Sequence, residues 1–413
     1  MNTANLTRLG PQKIDYGSAR TASFVGSFKA VAGEAELRLE NTGSGEPWVK
    51  LNGQAIEGSR LSSADADANG MLRIPITLQR SNSIELGVNG DGSGVLEFRI
   101  TQITQADLGL IRQGYFGLNT TDIEVQRKLY ETLGFIGEIY PAGPETSTTF
   151  ARSLGFEDNY LIHVSLHSLE DPPTPPFVDT VQFREEFYRS EAPYAELNHI
   201  GMAYATYSTT DLDGDYAFLQ SKGVQFLSAP TTAPNGERFV FFKDQDGAFL
   251  KLIQTTDGPE PSPGMNLVRL ENTNMNVTDM ERSREFYRLL GFAESSSTSQ
   301  KGGGEFAAAH VFTDTIEFDG EDISFERDGE KATLQLRKWV SPFDDAPPYS
   351  PPVNHLGIDR INFYVDDVTA VVKTMNELGF EQLGPIGGSK EIGIVFFFDP
   401  DGIKVQFAGP QTD

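Results

Sequence analysis

At 413 residues the chain is too long for one hydrophobic core and implies two or three domains. A formal charge of −26 and a pI near 4.5 exclude nucleic acid or an anionic membrane surface as partner, since both need basic patches. The absence of cysteine excludes disulfides, thiolate nucleophiles and cysteine-type zinc sites.

The opening MNTANLTRLGPQKIDYG has no apolar segment of the kind a signal peptide carries, and no run of about twenty apolar residues follows anywhere. The compartment stays open: cytoplasmic by default, extracytoplasmic on the lack of cysteine, the acidity and the β-rich start. Over residues 20 to 100, apolar and polar residues alternate (Ala35, Leu37 and Leu39; Leu72, Ile74, Ile76 and Leu78; Leu96, Phe98 and Ile100) between Gly- and Asn-rich turns. Short strands without a helical period predict a small all-β sandwich over 1–105. Asp65, Asp67, Asn69 and Gly70 follow the start of a calcium loop, but its twelfth position holds Ile76 where a bidentate acid belongs; an Asx-rich turn is the alternative to calcium.

From residue 106 onward one unit recurs four times. Asp122 is followed twelve residues later by Gly134, Asp211 by Gly223, Asp279 by Gly291 and Asp367 by Gly379, each with an apolar residue next. The third unit shows the construction best. Met275 and Val277 alternate with Asn274 and Asn276 as a strand, Asp279 stands at an N-cap, and Phe286, Leu289 and Leu290 share one face of a helix that Gly291 ends. Asp122 to Asp279 is 157 residues and Asp211 to Asp367 is 156, so units one and two are repeated as a pair by units three and four. Unit two closes with VFFKDQDGAFLKLIQ and unit four with VFFFDPDGIKVQFAG, two strands around an Asp-x-Asp-Gly turn. Proline-rich connectors fall at 101–110, 171–179, 255–264 and 341–352.

Asp279, Phe286, Tyr287, Leu290, Gly291 and Phe292, with Asp399, Pro400, Asp401 and Gly402, resemble the vicinal oxygen chelate superfamily of glyoxalases, ring-cleaving dioxygenases and bleomycin-resistance proteins. The resemblance covers roughly 110 to 410 and implies an α+β fold: four tandem βαβββ modules forming two cup-shaped half-barrel domains, 106–258 from modules one and two and 259–413 from modules three and four. The N-terminal sandwich looks like an accessory β-domain.

In metal-dependent members the ligands stand seven residues before the strand-ending Asp and four after the Gly of the terminal turn. Carried over, the first positions are Tyr115, Tyr204, Asn272 and Arg360, and the second are Lys251 and Gln406, with His163 and Gln335 as the nearest equivalents in modules one and three. Arg and Lys repel a dication, so the usual metal is not expected, though the resemblance leaves room for one. Tyr115, His163, Tyr204 and Lys251 are candidate acid–base residues of one cup; Asn272, Gln335, Arg360 and Gln406, with His310 on the second strand of module three after a Gly-rich bend, are candidate ligand-binding residues of the other. Arg360 has a second reading, as the partner of an acid such as Asp359 or Glu326. His199 and His355, in matching LNHIG and VNHLG contexts, read as strand-entrance residues bonded to the connectors, the alternative implied by the resemblance being a metal-ligand His in such a string. These features imply a glyoxalase- or dioxygenase-like enzyme on a small oxygenated molecule, using metal-free lyase or isomerase chemistry if the metal is gone, or a non-catalytic small-molecule-binding protein with degenerate cups. A monomer or weak homodimer is expected.

Overall fold

The protein is seen in a computed structural model that describes residues 2–5, 12–15, 21–29, 33–41, 46–56, 71–79, 81–89, 94–102, 108–140, 148–157, 160–184, 196–344 and 352–412. The candidate calcium residues Asp65, Asp67 and Asn69 lie outside the described residues. Two compact units result, one of Met1–Leu108 with Glu285–Gly291 and Ala370–Glu381, the other of Gly109–Arg284, Phe292–Thr369 and Gln382–Asp413.

The N-terminal strands are Asn2–Asn5 (β1), Gln12–Asp15 (β2), Thr21–Lys29 (β3), Gly33–Asn41 (β4), Glu46–Leu51 (β5), Gln54–Ala55 (β6), Met71–Leu78 (β7), Ser81–Asn89 (β8) and Val95–Gln102 (β9). They form two sheets, β1-β3-β8-β5-β6 and β2-β9-β4-β7. The alternation in β4 buries Ala35, Leu37 and Leu39, and Phe24 of one sheet meets Phe98 of the other at 5.4 Å in a shared core.

Module one runs Leu110–Asn119 (β10), Ile123–Thr132 (α1), Ile136–Tyr140 (β11), Thr148–Ser153 (α2), Ile162–Ser168 (β12) and Phe177–Phe183 (β13). Module two runs Gly201–Thr209 (β14), Leu212–Ser221 (α3), Thr231–Thr232 (β15), Arg238–Lys243 (β16) and Phe249–Gln254 (β17). Module three runs Leu267–Asn276 (β18), Met280–Leu289 (α4), Glu294–Ser297 (β19), Gln300–Gly302 (β20), Glu305–Ala309 (α5), Ile316–Arg327 (β21) and Glu330–Ser341 (β22). Module four runs Gly357–Val365 (β23), Val368–Glu377 (α6), Gly387–Gly388 (β24), Gly393–Phe398 (β25) and Lys404–Gly409 (β26). The repeated aspartates cap their helices. Asp122 accepts from the N–H groups of Glu124 and Val125, Asp211 from Gly214, Asp279 from Glu281 and Arg282, and Asp367 from Thr369.

The modules do not pair as neighbours in sequence. One open sheet, β11-β12-β13-β10-β23-β26-β25-β24, joins modules one and four; the other, β15-β16-β17-β14-β18-β22-β21-β19, joins two and three, with β20 on β21. This corrects the expected assembly of cups from modules one with two and three with four. The connector after β17 is short enough to return β18 antiparallel along β14, with Thr209 opposite Leu267. That leaves the β10 and β23 edges unpaired, and they satisfy each other. Asn119 Nδ2 ties this seam to the carbonyls of Val353 and His355, and Asn276 Nδ2 ties the other to those of Leu197 and His199.

Neighbouring modules touch through the Asp-x-Asp-Gly turns instead. The first acid of each closes its own turn: Asp244 Oδ1 accepts from Asp246 and Ala248, and Asp399 Oδ1 from Asp401 and Ile403. The second reaches the preceding module: Asp246 accepts from Thr120 and Thr121, and Asp401 from Thr278, Arg282 and Ser283.

Candidate functional site

Parallel pairing of first and last strands sets which side chains meet in each cup. In the sheet of modules one and four, Tyr115 on β10 lies opposite Asn362 on β23, which lies opposite Gln406 on β26. Tyr115 Oη donates to Gln406 Oε1 at 2.7 Å. In the other sheet Tyr204 on β14 lies opposite Asn274 on β18, itself opposite Gln335 on β22, and Tyr204 Oη donates to Gln335 Oε1 at 3.0 Å. The two cups thus repeat one Tyr–Asn–Gln row, and its Tyr–Gln bond crosses from one module to the other. Tyr115 is half-buried and Tyr204 fully buried. Burial drives both phenol groups well above their usual range.

The next row in the first cup is Asp179, Gly117 and Arg360. A Cβ at Gly117 would overlap the guanidinium carbon, so Arg360 lies across that glycine. Arg360 Nη2 donates to Asp179 Oδ2 at 2.7 Å and Nη1 to Asp359 Oδ1 at 2.6 Å. Asp359 reaches its own neighbour because the β10–β23 register jumps there, from Gly117 opposite Arg360 to Leu118 opposite Ile358. Lys404, opposite Arg360 on β26, completes a buried group of two acids and two cations. Burial lifts the Asp359 carboxyl to about 6 against the pull of Arg360 and Lys404. Burial lowers the Lys404 ammonium to about 8, with Asp359 opposing it. Asp359 Oδ2 and both amide atoms of Asn362 have no hydrogen-bond partner among the described residues.

The second cup has the row Lys251, Thr206 and Asn272. Lys251 Nζ donates to Glu237 Oε1 at 2.5 Å and stands 5.0 Å from the Phe239 ring centre. Burial lowers the ammonium, and Glu237 partly restores it. Gln335 Nε2 donates to Asp322 Oδ1 at 2.8 Å. Arg337 is buried with its guanidinium 4.1 Å from the Phe318 ring centre. This cup is filled: Phe306, Ala307 and Ala309 of α5 pack with Tyr204, Phe239, Phe241, Phe249, Phe318 and Trp339. His310 follows α5 rather than lying on a strand. Its Nδ1 is 2.9 Å from the Phe306 carbonyl oxygen among the rings of Phe239, Phe241 and Phe306, and burial pushes its pKa to about 3, so it is neutral.

The expected sets are therefore redistributed. Tyr115, Arg360 and Gln406 share one cup; Tyr204, Lys251, Asn272 and Gln335, with His310 in the packing, share the other. His163 belongs to neither. It sits exposed on β12, opposite Gln182, and Asp179 on β13 takes the last-strand position of module one. Residues 177–179, read as connector, are the start of that strand. Arg360 faces Asp179 and Asp359 rather than Asn272 and Gln335, in line with its second reading. His199 Nδ1 meets Asp344 Oδ2 at 2.8 Å, and His355 Nδ1 lies 2.9 Å from the Leu356 carbonyl oxygen. Asp179, Lys404, Glu237, Asp322 and Arg337 were missed. Alternation two residues on from Gln335 and two back from Gln406 would have found Arg337 and Lys404.

Tested as a metal site, neither cup fits. Arg360 in one and Lys251 in the other stand at ligand positions as cations, with the nearby acids bonded to them. Among the described residues no group of three or more His, Asp or Glu side chains could hold a metal ion.

No curated protein is similar enough to this chain to be matched. Among solved structures, glyoxalase I from Zea mays is 18% identical with a TM-score of 0.49, covering 72% of this chain and 92% of its own. A glyoxalase family protein from Bacillus cereus is 20% identical with a TM-score of 0.31, covering 36% and 97%. A mutant 4-hydroxymandelate synthase from Streptomyces coelicolor is 14% identical with a TM-score of 0.25, covering 74% and 95%. A family model matches residues 112–252 and 269–407, the greater part of the chain, and the protein belongs to the glyoxalase/bleomycin resistance protein/dioxygenase superfamily.

Proposed function

We propose that this protein binds a small molecule and has given up the metal chemistry associated with its superfamily. The observation that carries the reading is that the family's ligand positions bond to other side chains of the chain: Tyr115 to Gln406 and Arg360 to Asp179 in one cup, Tyr204 to Gln335 and Lys251 to Glu237 in the other. A guanidinium cannot lose its charge at any working pH, and it opposes a dication wherever the two would share acids. The polar rows act as cores that lock two modules together, which frees the fold to bind without reacting. A ligand that holds the native state raises its melting midpoint, so loss of a bound metal lowers it. The melting midpoint is expected to be unchanged by a strong chelator and by added zinc, nickel or manganese; a drop on chelation, restored by one of these metals, contradicts the reading.

A second reading is favoured by the cup of modules one and four. There an acid at about 6 and an ammonium at about 8 lie together near the half-buried Tyr115, as metal-free lyase or isomerase chemistry would use them. It requires the Asp359 carboxyl to titrate near that value. A carbon-13 NMR titration of wild type against Asp359→Asn measures this, and a carboxylate still ionised at about pH 4 sinks the idea.

A further inference from the structure

A groove of about 660 Å3 lies outside both cups, between α1 and the β16–β17 turn, with the end of α3 as its third wall. That size is within the range of small-molecule sites. Val125, Leu129 and Val224 make its apolar surface, and Lys128, Lys222 and Lys243 stand around it. In a chain of 33 basic and 59 acidic residues this grouping runs against the overall charge, and none of the three lysines has a carboxylate partner among the described residues. Lys243 lies 4.3 Å from the Phe249 ring centre and Lys222 5.2 Å from that of Phe218. The two acids at the groove are engaged elsewhere, Asp244 with its own turn and Asp246 with Thr120 and Thr121.

The repeat supplies an internal control. Three residues after the helix-capping Asp, module three carries Arg282, which donates to Asp401 at 2.5 Å; module one carries Val125, which is 45% exposed. At the places of Leu129 and Val224 the repeat has Phe286 and Phe380, whose rings meet at 5.0 Å, and at those of Lys128 and Lys222 it has Glu285 and Leu378. The first copy carries neither that arginine nor the two rings, and has two lysines where the other has Glu285 and Leu378.

We propose that this groove binds a small amphipathic anion, its apolar body on Val125, Leu129 and Val224 and its carboxylate or sulfonate among Lys128, Lys222 and Lys243. The site takes up the binding role inferred above. A metal found in a cup would sink that role without touching the groove, and a groove that takes no anion would leave the cups as described.

Fluorescence titration with 8-anilinonaphthalene-1-sulfonate, with near-UV circular dichroism as the check on native packing, tests it. One site per chain is expected, displaced by octanoate. Val125→Arg, which sets module three's residue in the groove, is expected to weaken binding about tenfold or more, as is Lys222→Glu with Lys243→Glu. The uncharged 1-anilinonaphthalene is expected to bind the double lysine variant within about twofold of wild type. No saturable site in the wild type, or unchanged sulfonate affinity in natively packed Val125→Arg, overturns the proposal.

Discussion

Arg360 decides what the first cup can be. Its two acids, Asp179 and Asp359, are buried beside it and the guanidinium lies across Gly117. Removing one member of a buried ion group strands the others, so Arg360→Ala is expected to lower stability by about 3–5 kcal/mol in urea unfolding. A loss under about 1 kcal/mol would mean that the group contributes nothing to holding the cup together. Asp359 makes a second prediction. Its carboxyl rises from 3.8 to about 6 on folding, so the native state holds that proton more tightly than the unfolded chain. The contribution is fully present below the unfolded value and is lost as pH rises through the folded one. Asp359→Asn is therefore expected to remove about 2–3 kcal/mol of the fall in stability between about pH 4 and 7, read from denaturation midpoints across that range. At this scale the sequence was partly legible. Tyr115, Tyr204 and Gln406 follow from fixed offsets within a repeat, and Gln335 from the nearest equivalent position in module three. Asp179 does not, because module one lacks the Asp-x-Asp-Gly turn that modules two and four carry. The Asp359–Arg360 pairing follows from Arg360's second reading, but its geometry depends on a register jump between strands far apart in sequence.

At the scale of elements, each repeated Asp announces a helix start and each does cap one, because a short acid before an amphipathic run has few other uses. The terminal turns were legible as hairpins, but their second acid was not legible as a latch onto the preceding module. Asp401 is buried and holds Thr278, Arg282 and Ser283, whereas Asp246 is half-buried and holds the buried Thr120 and the exposed Thr121. Asp401→Ala is expected to cost about 2–4 kcal/mol by chemical denaturation, and Asp246→Ala to cost less. Equal losses would place the latch in the turn itself rather than between modules. The second strand expected for His310 proved to be a short helix, α5, whose Phe306 and alanines plug the cup of modules two and three. A Gly-rich bend beside EFAAA allows strand or helix locally, and packing of Phe306 against Phe239 and Phe318 decides it.

For the whole molecule, the repeat spacing made the modules plain but left their partners open. Four equal units can pair in sequence or as two and three inside one and four, and the offsets are the same either way. Only the strand edges distinguish them, through β14 on β18 and β10 on β23. The consequence reaches the chemistry, since it separates Tyr115 from Tyr204 and Lys251, and Arg360 from Asn272 and Gln335. It also gives each cup one Tyr–Gln bond between modules and one cation at a ligand position. These cations, Arg360 and Lys251, stand at the positions that the resemblance gives to metal ligands. Elemental analysis of the protein purified without chelator, with Gln406→Ala and Lys251→Ala alongside, tests most directly whether a cup holds a metal. No stoichiometric iron, zinc, nickel or manganese is expected in any of the three; one metal ion per chain in the wild type, lost in either variant, would show that a cup holds a metal.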